Sequence, residues 1–398
     1  MVKKTGPSKK TAPPKQSSSS KQSSRKSSAP LETSSPALQS EQQQQQRLLN
    51  IFSSAFNNVL TSADFSRLLQ EIKQALFNRE FAAAFGREDY LEAYAARWSP
   101  TRALCYATVF LSIKKHLDGI LIDKEETKDD TNTTKERLAS HTEIAGSTQD
   151  DANDKSGGTG LEIFQDLKLD STSNRRNATL RMLSVGGCAA EHVAFASYLQ
   201  TTATDGHLTL LDSGPWTRVI SLLESSTVNP PAISKYASTA RQAANHPLLG
   251  KNQLSLDVVQ RDVLDLDVDS LSAQCANGRV PIILTLLFTL NELYTTAGIG
   301  KTTKFLKNLG QVLASDSLVL VVDSPGSYSE AALGTEKKRY PMKWLLDHTL
   351  IETETPGYSW EKLHSDDSSW FRLPEGLSYP IPLENMRYQM HLYRLQKP

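Results

Sequence analysis

From about residue 178 onward the chain alternates short apolar runs with stretches of helical periodicity, and this alternation limits its fold more than any other feature. Runs rich in Leu, Ile and Val at 180–185, 208–212, 256–261, 282–289 and 318–323 read as strands. Helices are expected between and after them, at about 189–200, 215–224, 235–246, 301–313 and 341–351. Strands apolar on both faces, each followed by a crossover helix, specify an α/β fold with a parallel sheet covered on both sides. The segment "SSWFRLPEGLSYPIPLENMRYQMHLYRL" breaks the rhythm and predicts two further strands, the last at about 386–395.

The remainder of the chain differs in kind. Residues 1–47 hold nine Lys/Arg, two acids, twelve serines and the glutamine run 42–46, with almost nothing apolar. Such a stretch cannot bury enough surface to offset chain entropy, so it is expected to be a disordered basic arm, either an address signal, a loose phosphate binder or a solubilising tail. Residues 48–117 predict a small helical module: Leu49, Phe52, Phe56 and Val59 recur at helical spacing, and Ser99-Pro100 reads as a helix start. Residues 118–160, with eleven acids against five bases, predict a disordered acidic linker, and 161–398 the α/β domain. The 44 basic and 44 acidic residues therefore cancel by distribution: a +7 arm and a −6 linker accompany a near-neutral remainder.

No run approaches the ~18 uncharged apolar residues that a membrane span requires. The polar start carries no apolar segment of the secretory type, so no such signal is expected. Cys105, Cys188 and Cys275 stand far apart without CxxC spacing, which fits a reducing compartment and excludes a zinc ribbon; no metal site is expected.

Three successive strand ends carry residues suited to a nucleoside. The first ends in Gly186-Gly187, which lets the backbone approach a ligand at a helix N-terminus, although the full GxGxxG spacing is missing. The second ends at Asp212, able to accept hydrogen bonds from a ribose diol, and the third is followed by Asp262 and Val263, where an adenine would lie. Singly, these are also what a tight turn and two surface acids would look like. After the fourth strand, "LFTLNELY" holds Asn291 and Glu292 as the strongly polar residues of an apolar run, fitted either to a substrate base or to a helix cap and a solvent-facing acid. The same loop lacks the motifs for adenine-amino or cytosine-C5 methylation. "AGIGKTTKFLKNL" misses Walker spacing, since Thr295 stands where the first glycine belongs, and reads as a helix start. Beyond the fifth strand lie Asp323, Tyr328 and the cluster Lys337-Lys338-Arg339, within reach of a polyanion. Trp216, Tyr328 and Trp344 could stack on bases or serve as core and rim.

Five alternating strands with a hairpin-like end form the layout of class I, S-adenosylmethionine-dependent methyltransferases: a seven-stranded Rossmann-like sheet whose last strand is antiparallel. The segments "RALCYATVF", "LSVGGCAAE", "LTLLDSGPW", "LTLLFTLNEL", "VVDSPGSYSE" and "YPMKWLLD", with the terminal strands, resemble the fungal large-subunit (25S) rRNA uridine-N3 methyltransferases from about residue 88 onward. The resemblance implies S-adenosylmethionine as cofactor, held at Gly186, Gly187, Asp212, Asp262 and Val263. It implies rRNA or the pre-ribosome as partner, bound through Lys337, Lys338, Arg339 and Tyr328, and a nucleolar location. Removing the imide proton of uracil N3 calls for an acceptor, Glu292 first and Asp323 second, with Asn291 orienting a uracil carbonyl. A catalytically inactive, rRNA-binding assembly factor of the same fold is the alternative.

Overall fold

A computed structural model describes residues 36–123 and 178–398, apart from 327, 334 and 335; side chains are described except those of 36–38 and 327–339. The expectations for residues 1–35, for the linker from 124 and for the side chains of Tyr328, Lys337, Lys338 and Arg339 thus fall outside the described residues. The described residues from 41 onward form one compact unit.

Ten strands are present among the described residues: β1 Ile122–Asp123, β2 Ala178–Val185, β3 Asp205–Asp212, β4 Leu254–Gln260, β5 Ile283–Leu287, β6 Leu318–Asp323, β7 Tyr328–Leu333, β8 Glu336–Pro341, β9 Ser359–Phe371 and β10 Met386–Gln396. The main sheet runs β4-β3-β2-β5-β6-β10-β9, with β1 paired to β2. β2 to β6 are mutually parallel, whereas β10 is antiparallel to both β6 and β9. The order reverses at β2/β5, and at such a switch point the loops leaving the strands diverge and open a crevice. β7 and β8 form a separate hairpin between β6 and β9.

Period-2 alternation explains how one strand serves two cores. On β6, Leu318, Leu320 and Val322 face one core while Val319 and Val321 face the other. Both faces are covered, so β5 and β6 are buried throughout and read in sequence as unbroken apolar runs. The edge strand β9 is instead largely exposed.

The first core contains the N-terminal helices. The helix Ser99–Ser112 packs on Ala189–Thr202, with Phe110 meeting Phe195 and Tyr198 edge-on at 6.5 and 6.3 Å. Ala189–Thr202 is buried nearly all round because it lies between the sheet and that outer helix, which suits its small-residue sequence. The expected helical module is therefore an added layer sharing one core with the sheet.

The first helix also starts earlier than residue 48. It spans Pro36–Ala55, so the last twelve residues of the expected arm are helical. Glutamine amides replace apolar contacts there. Gln44 donates to Thr201 Oγ1 at 2.6 Å; Gln46 donates to the Ser378 carbonyl at 2.9 Å and accepts from its N–H at 2.7 Å. Arg47 Nη2 donates to the carbonyls of His246 and Pro247 at 2.7 and 2.5 Å. Composition reads such a run as unable to bury surface, yet its amides and the adjoining Arg47 hydrogen-bond to distant parts of the chain.

Two helix expectations also change. Between 235 and 246 only Thr239–Ala243 is helical. The helix expected from 301 is the second half of Leu290–Val312, which breaks at Gly298, where φ is 84° and ψ 167°. The "AGIGK" segment is thus the interruption of a helix and not a loop leaving a strand.

Candidate active site

A cavity opens at the C-terminal ends of β2, β3, β4 and β5, on the switch point. Its floor is the turn after β2. Gly186 has φ +70° and Gly187 φ +138°, conformations that side-chain-bearing residues rarely adopt. Gly186 donates its N–H to Leu211 O at 2.9 Å and accepts from Thr289 Oγ1 at 2.5 Å, which fastens the turn to the neighbouring strand ends. A Cβ at Gly186 would stand 2.2 Å from the Thr289 side chain, and one at Gly187 would stand 2.7 Å from the Glu191 carboxylate. Two glycines therefore suffice where a longer motif is usual, because Thr289 and Glu191 close over the turn.

Asp212 stands at the tip of β3 on the cavity wall. Its Oδ1 accepts from Gly214 N–H at 2.7 Å, and burial pushes its carboxyl above the usual carboxylate range. A desolvated acid with acceptor capacity to spare fits a ribose diol. Asp262 lines the same wall, and its Oδ1 accepts from Leu264 N–H at 2.9 Å, capping the short turn that holds the buried Val263 in the cavity. The five residues expected to hold the cofactor are thus brought together.

Glu292 lies in the first turn of Leu290–Val312 and also lines the cavity. Burial pushes its carboxyl up to about 7, helped by the negative charges of Asp212 and Asp323 and opposed by Arg102. Asn291 and Asp323 lie behind it. Asp323 is 2% exposed; its Oδ2 accepts from Asn291 N–H at 3.0 Å and its Oδ1 from Ser324 N–H at 2.7 Å. Asp323 thus anchors the helix that carries Glu292, and neither it nor Asn291 is on the cavity wall. Trp216 is buried against Phe85 and Tyr94, as a wall of the cavity.

Four wall residues carry little sequence signal. Arg102, from the first turn of Ser99–Ser112, donates to the Tyr94 hydroxyl and stands 4.7 Å from the Phe288 ring centroid. Glu191 is 4% exposed, and burial pushes its carboxyl up to about 7. Phe288 holds φ +61°, an outlier for an aromatic residue of the kind that clusters at functional sites. Thr289, described above, completes the set. The Ser99-Pro100 helix start lies one turn before Arg102, and all four fall within the segments that carry the family resemblance, but no residue pattern singles them out. Among the described residues no cluster of His, Cys, Asp or Glu could hold a metal ion, and the three cysteines are free and buried.

Glycine turn, desolvated acid at the second strand tip, and apolar walls from Val185, Leu211 and Val263 fit the nucleoside of S-adenosylmethionine. With the strand order and the antiparallel last strand β10, they define a class I, S-adenosylmethionine-dependent methyltransferase. Residues 52–394 match a family model described as "Putative SAM-dependent methyltransferase", and the chain belongs to that family. It is 25% identical over 359 residues, 87% of this chain and 85% of the relative, to the 25S rRNA (uridine(2843)-N(3))-methyltransferase of Saccharomyces cerevisiae. Solved structures that it matches include the antibiotic-resistance methyltransferase Kmr (12% identity, TM-score 0.31, 59% of this chain and 95% of that one). Another is the precorrin-6y C5,15-methyltransferase of Geobacter metallireducens GS-15 (10%, TM-score 0.27, 61% and 94%). No described helix is long and apolar enough to cross a membrane.

Proposed function

We propose that this methyltransferase modifies N3 of a uridine in large-subunit rRNA, within the nucleolus, as part of ribosome biogenesis. The observation that carries the reading is the Glu292 carboxyl, pushed up to about 7 on the wall of the cofactor cavity at the end of β5. The yeast relative, matched along 87% of the chain, supports it by the activity in its name.

The chemistry asks for such a group. Uracil N3 is an imide nitrogen whose lone pair is delocalised while its proton remains. S-adenosylmethionine, when bound, supplies an electrophilic methyl group on a positively charged sulfur. The protein must hold N3 in line and take its proton, and an acceptor titrating near neutrality is suited to that task. Glu292 accepts the N3 proton. Asp323 positions Glu292 through the backbone N–H of Asn291. Gly186, Gly187, Asp212, Asp262 and Val263 hold the cofactor, and Arg102 places a positive charge beside Glu191 and Glu292. N3 lies on the Watson–Crick edge, so a paired uridine must first be unstacked and turned out.

The test is transfer of labelled methyl groups from S-adenosylmethionine to a large-subunit rRNA transcript by the full chain, followed by digestion to nucleosides. Label in N3-methyluridine is expected. Label in another nucleoside, or in protein only, contradicts the proposal.

A further inference from the structure

The β9–β10 hairpin carries a surface that the chemistry above does not use. Trp370, near the end of β9, is 55% exposed, although a large aromatic ring on a sheet normally finds cover. Its register partner on β10 is Arg387, while the next pair, Phe371 and Met386, packs into the first core. Alternation therefore turns Trp370 and Arg387 to the opposite face, and Arg372, two residues on from Trp370, follows them. The guanidinium carbons of Arg372 and Arg387 stand 5.4 and 5.9 Å from the Trp370 ring centroid. Arg387 Nε donates to Ser368 Oγ at 2.8 Å, which fixes its position.

Neither arginine forms an ion pair among the described residues. The neighbouring acids are already engaged: Asp366 accepts from Ser368 N–H and the Ser369 hydroxyl, and Asp367 pairs with Lys343. The result is an exposed π-face flanked by two unneutralised planar cations. Strand register places it at the working edge of the sheet. Gln389, two residues beyond Arg387, pairs with Asp323 at the end of β6. Two residues of strand span about 7 Å. A second exposed ring, Trp344 (43% exposed), stacks between Tyr340 and His348 on a segment tied to β9 by the Lys343–Asp367 bridge.

We propose that Trp370, Arg372 and Arg387 form a docking site for single-stranded RNA, in which a base stacks on Trp370 and adjoining phosphates meet the two guanidinium groups. Stacking platforms bracketed by cations bind single strands with little dependence on sequence, because every base has a π-face. Charge complementarity favours a polyanion over a second copy of this chain, since two such surfaces would oppose four like charges. The site deepens the rRNA reading by giving the substrate a second point of attachment on the sheet edge onto which the cavity opens.

The test is equilibrium binding of a fluorescently labelled single-stranded oligoribonucleotide to the full chain, wild type and variants. Trp370→Ala is expected to raise Kd about tenfold, within the range for loss of one stacked base, and Trp370→Phe to retain most of the affinity. Arg372→Ala/Arg387→Ala is expected to weaken binding and to reduce the salt slope by about 1.4, the value for two phosphates on a single strand. Calorimetry with S-adenosylmethionine should give the same affinity in every variant, which shows that each is folded with an intact cavity. Unchanged RNA affinity and salt slope overturn the proposal, as does a change in sedimentation of Trp370→Ala without a change in RNA binding. The uridine-N3 reading is scored separately by the wild-type methylated nucleoside. If that product is absent while the variants lose RNA affinity, the docking site stands and the uridine reading falls.

Discussion

Replacing Glu292 by Gln removes the proposed proton acceptor while keeping side-chain volume and the helix that carries it. The carboxyl titrates near 7 because it is desolvated and faces Asp212 and Asp323. A carboxylate at its ordinary value of about 4.3 would be a poor partner for an imide proton; the raised value narrows that mismatch. General-base catalysis is worth typically 10²–10⁴-fold, so Glu292→Gln should lower kcat by that factor, or about 2.7–5.5 kcal/mol in the barrier. The pH profile gives a second reading. With a base titrating near 7, about a tenth of wild-type molecules are competent at pH 6 and about nine-tenths at pH 8. Wild-type kcat/KM should therefore rise with pH through 7 and level above it, and the variant should lose that limb. The assay is single-turnover methylation of an rRNA fragment from pH 5.5 to 8.5, with cofactor affinity followed by calorimetry. Wild-type turnover in Glu292→Gln, or the same pH limb in the variant, would remove Glu292 from the chemistry.

Other expected outcomes follow from the same geometry. Glu191 has a folded-state value of about 7 against an ordinary value near 4.5, so the folded state binds the extra proton between those limits. Its contribution is fully present below about 4.5 and is lost as pH rises through 7, by about 3 kcal/mol in total. Thermal unfolding of the cofactor-free protein should show this decline, and Glu191→Gln should reduce it, leaving the part that Glu292 contributes; an unchanged slope would mean that the carboxyl is not desolvated. Gly187→Ala combines φ +138° with a Cβ 2.7 Å from the Glu191 carboxylate, so the turn must shift and calorimetry should register loss of cofactor binding. All of the arm's net charge lies in residues 1–35, which hold eight Lys/Arg and one acid. Deleting 1–35 should flatten the salt dependence of RNA binding while leaving cofactor binding and thermal stability unchanged. Deleting 1–47 should in addition lower stability, because Gln44, Gln46 and Arg47 lose the groups that they hold.

The parts legible in the sequence are those where one local rule decides. β6 is bounded at 318–323 as expected, because a strand covered on both faces must be an unbroken apolar run. Asp212, Asp262 and Glu292 stand out because each is polar at the end of such a run, and the fold brings strand ends to one edge. Arg102 and Glu191 carry no such mark. Each is a lone charge in a helical stretch, 89 positions apart, and only packing of Ser99–Ser112 beside Ala189–Thr202 brings both to one cavity. Asp323 was legible as an acid at a strand end, but its engagement with the backbone of Asn291 depends on where the next helix begins. The glutamine run misled composition for a related reason: its worth lies in specific hydroxyl, carbonyl and N–H partners supplied from residues more than 150 positions away.

The central claim is that this chain places a methyl group on N3 of a large-subunit rRNA uridine. Quantitative nucleoside mass spectrometry of large-subunit rRNA, from cells with the gene, without it, and complemented with Glu292→Gln, tests that claim most directly. The account predicts loss of N3-methyluridine without the gene, restoration by the wild-type chain and little restoration by the variant. An N3-methyluridine level that does not change on deletion would contradict it.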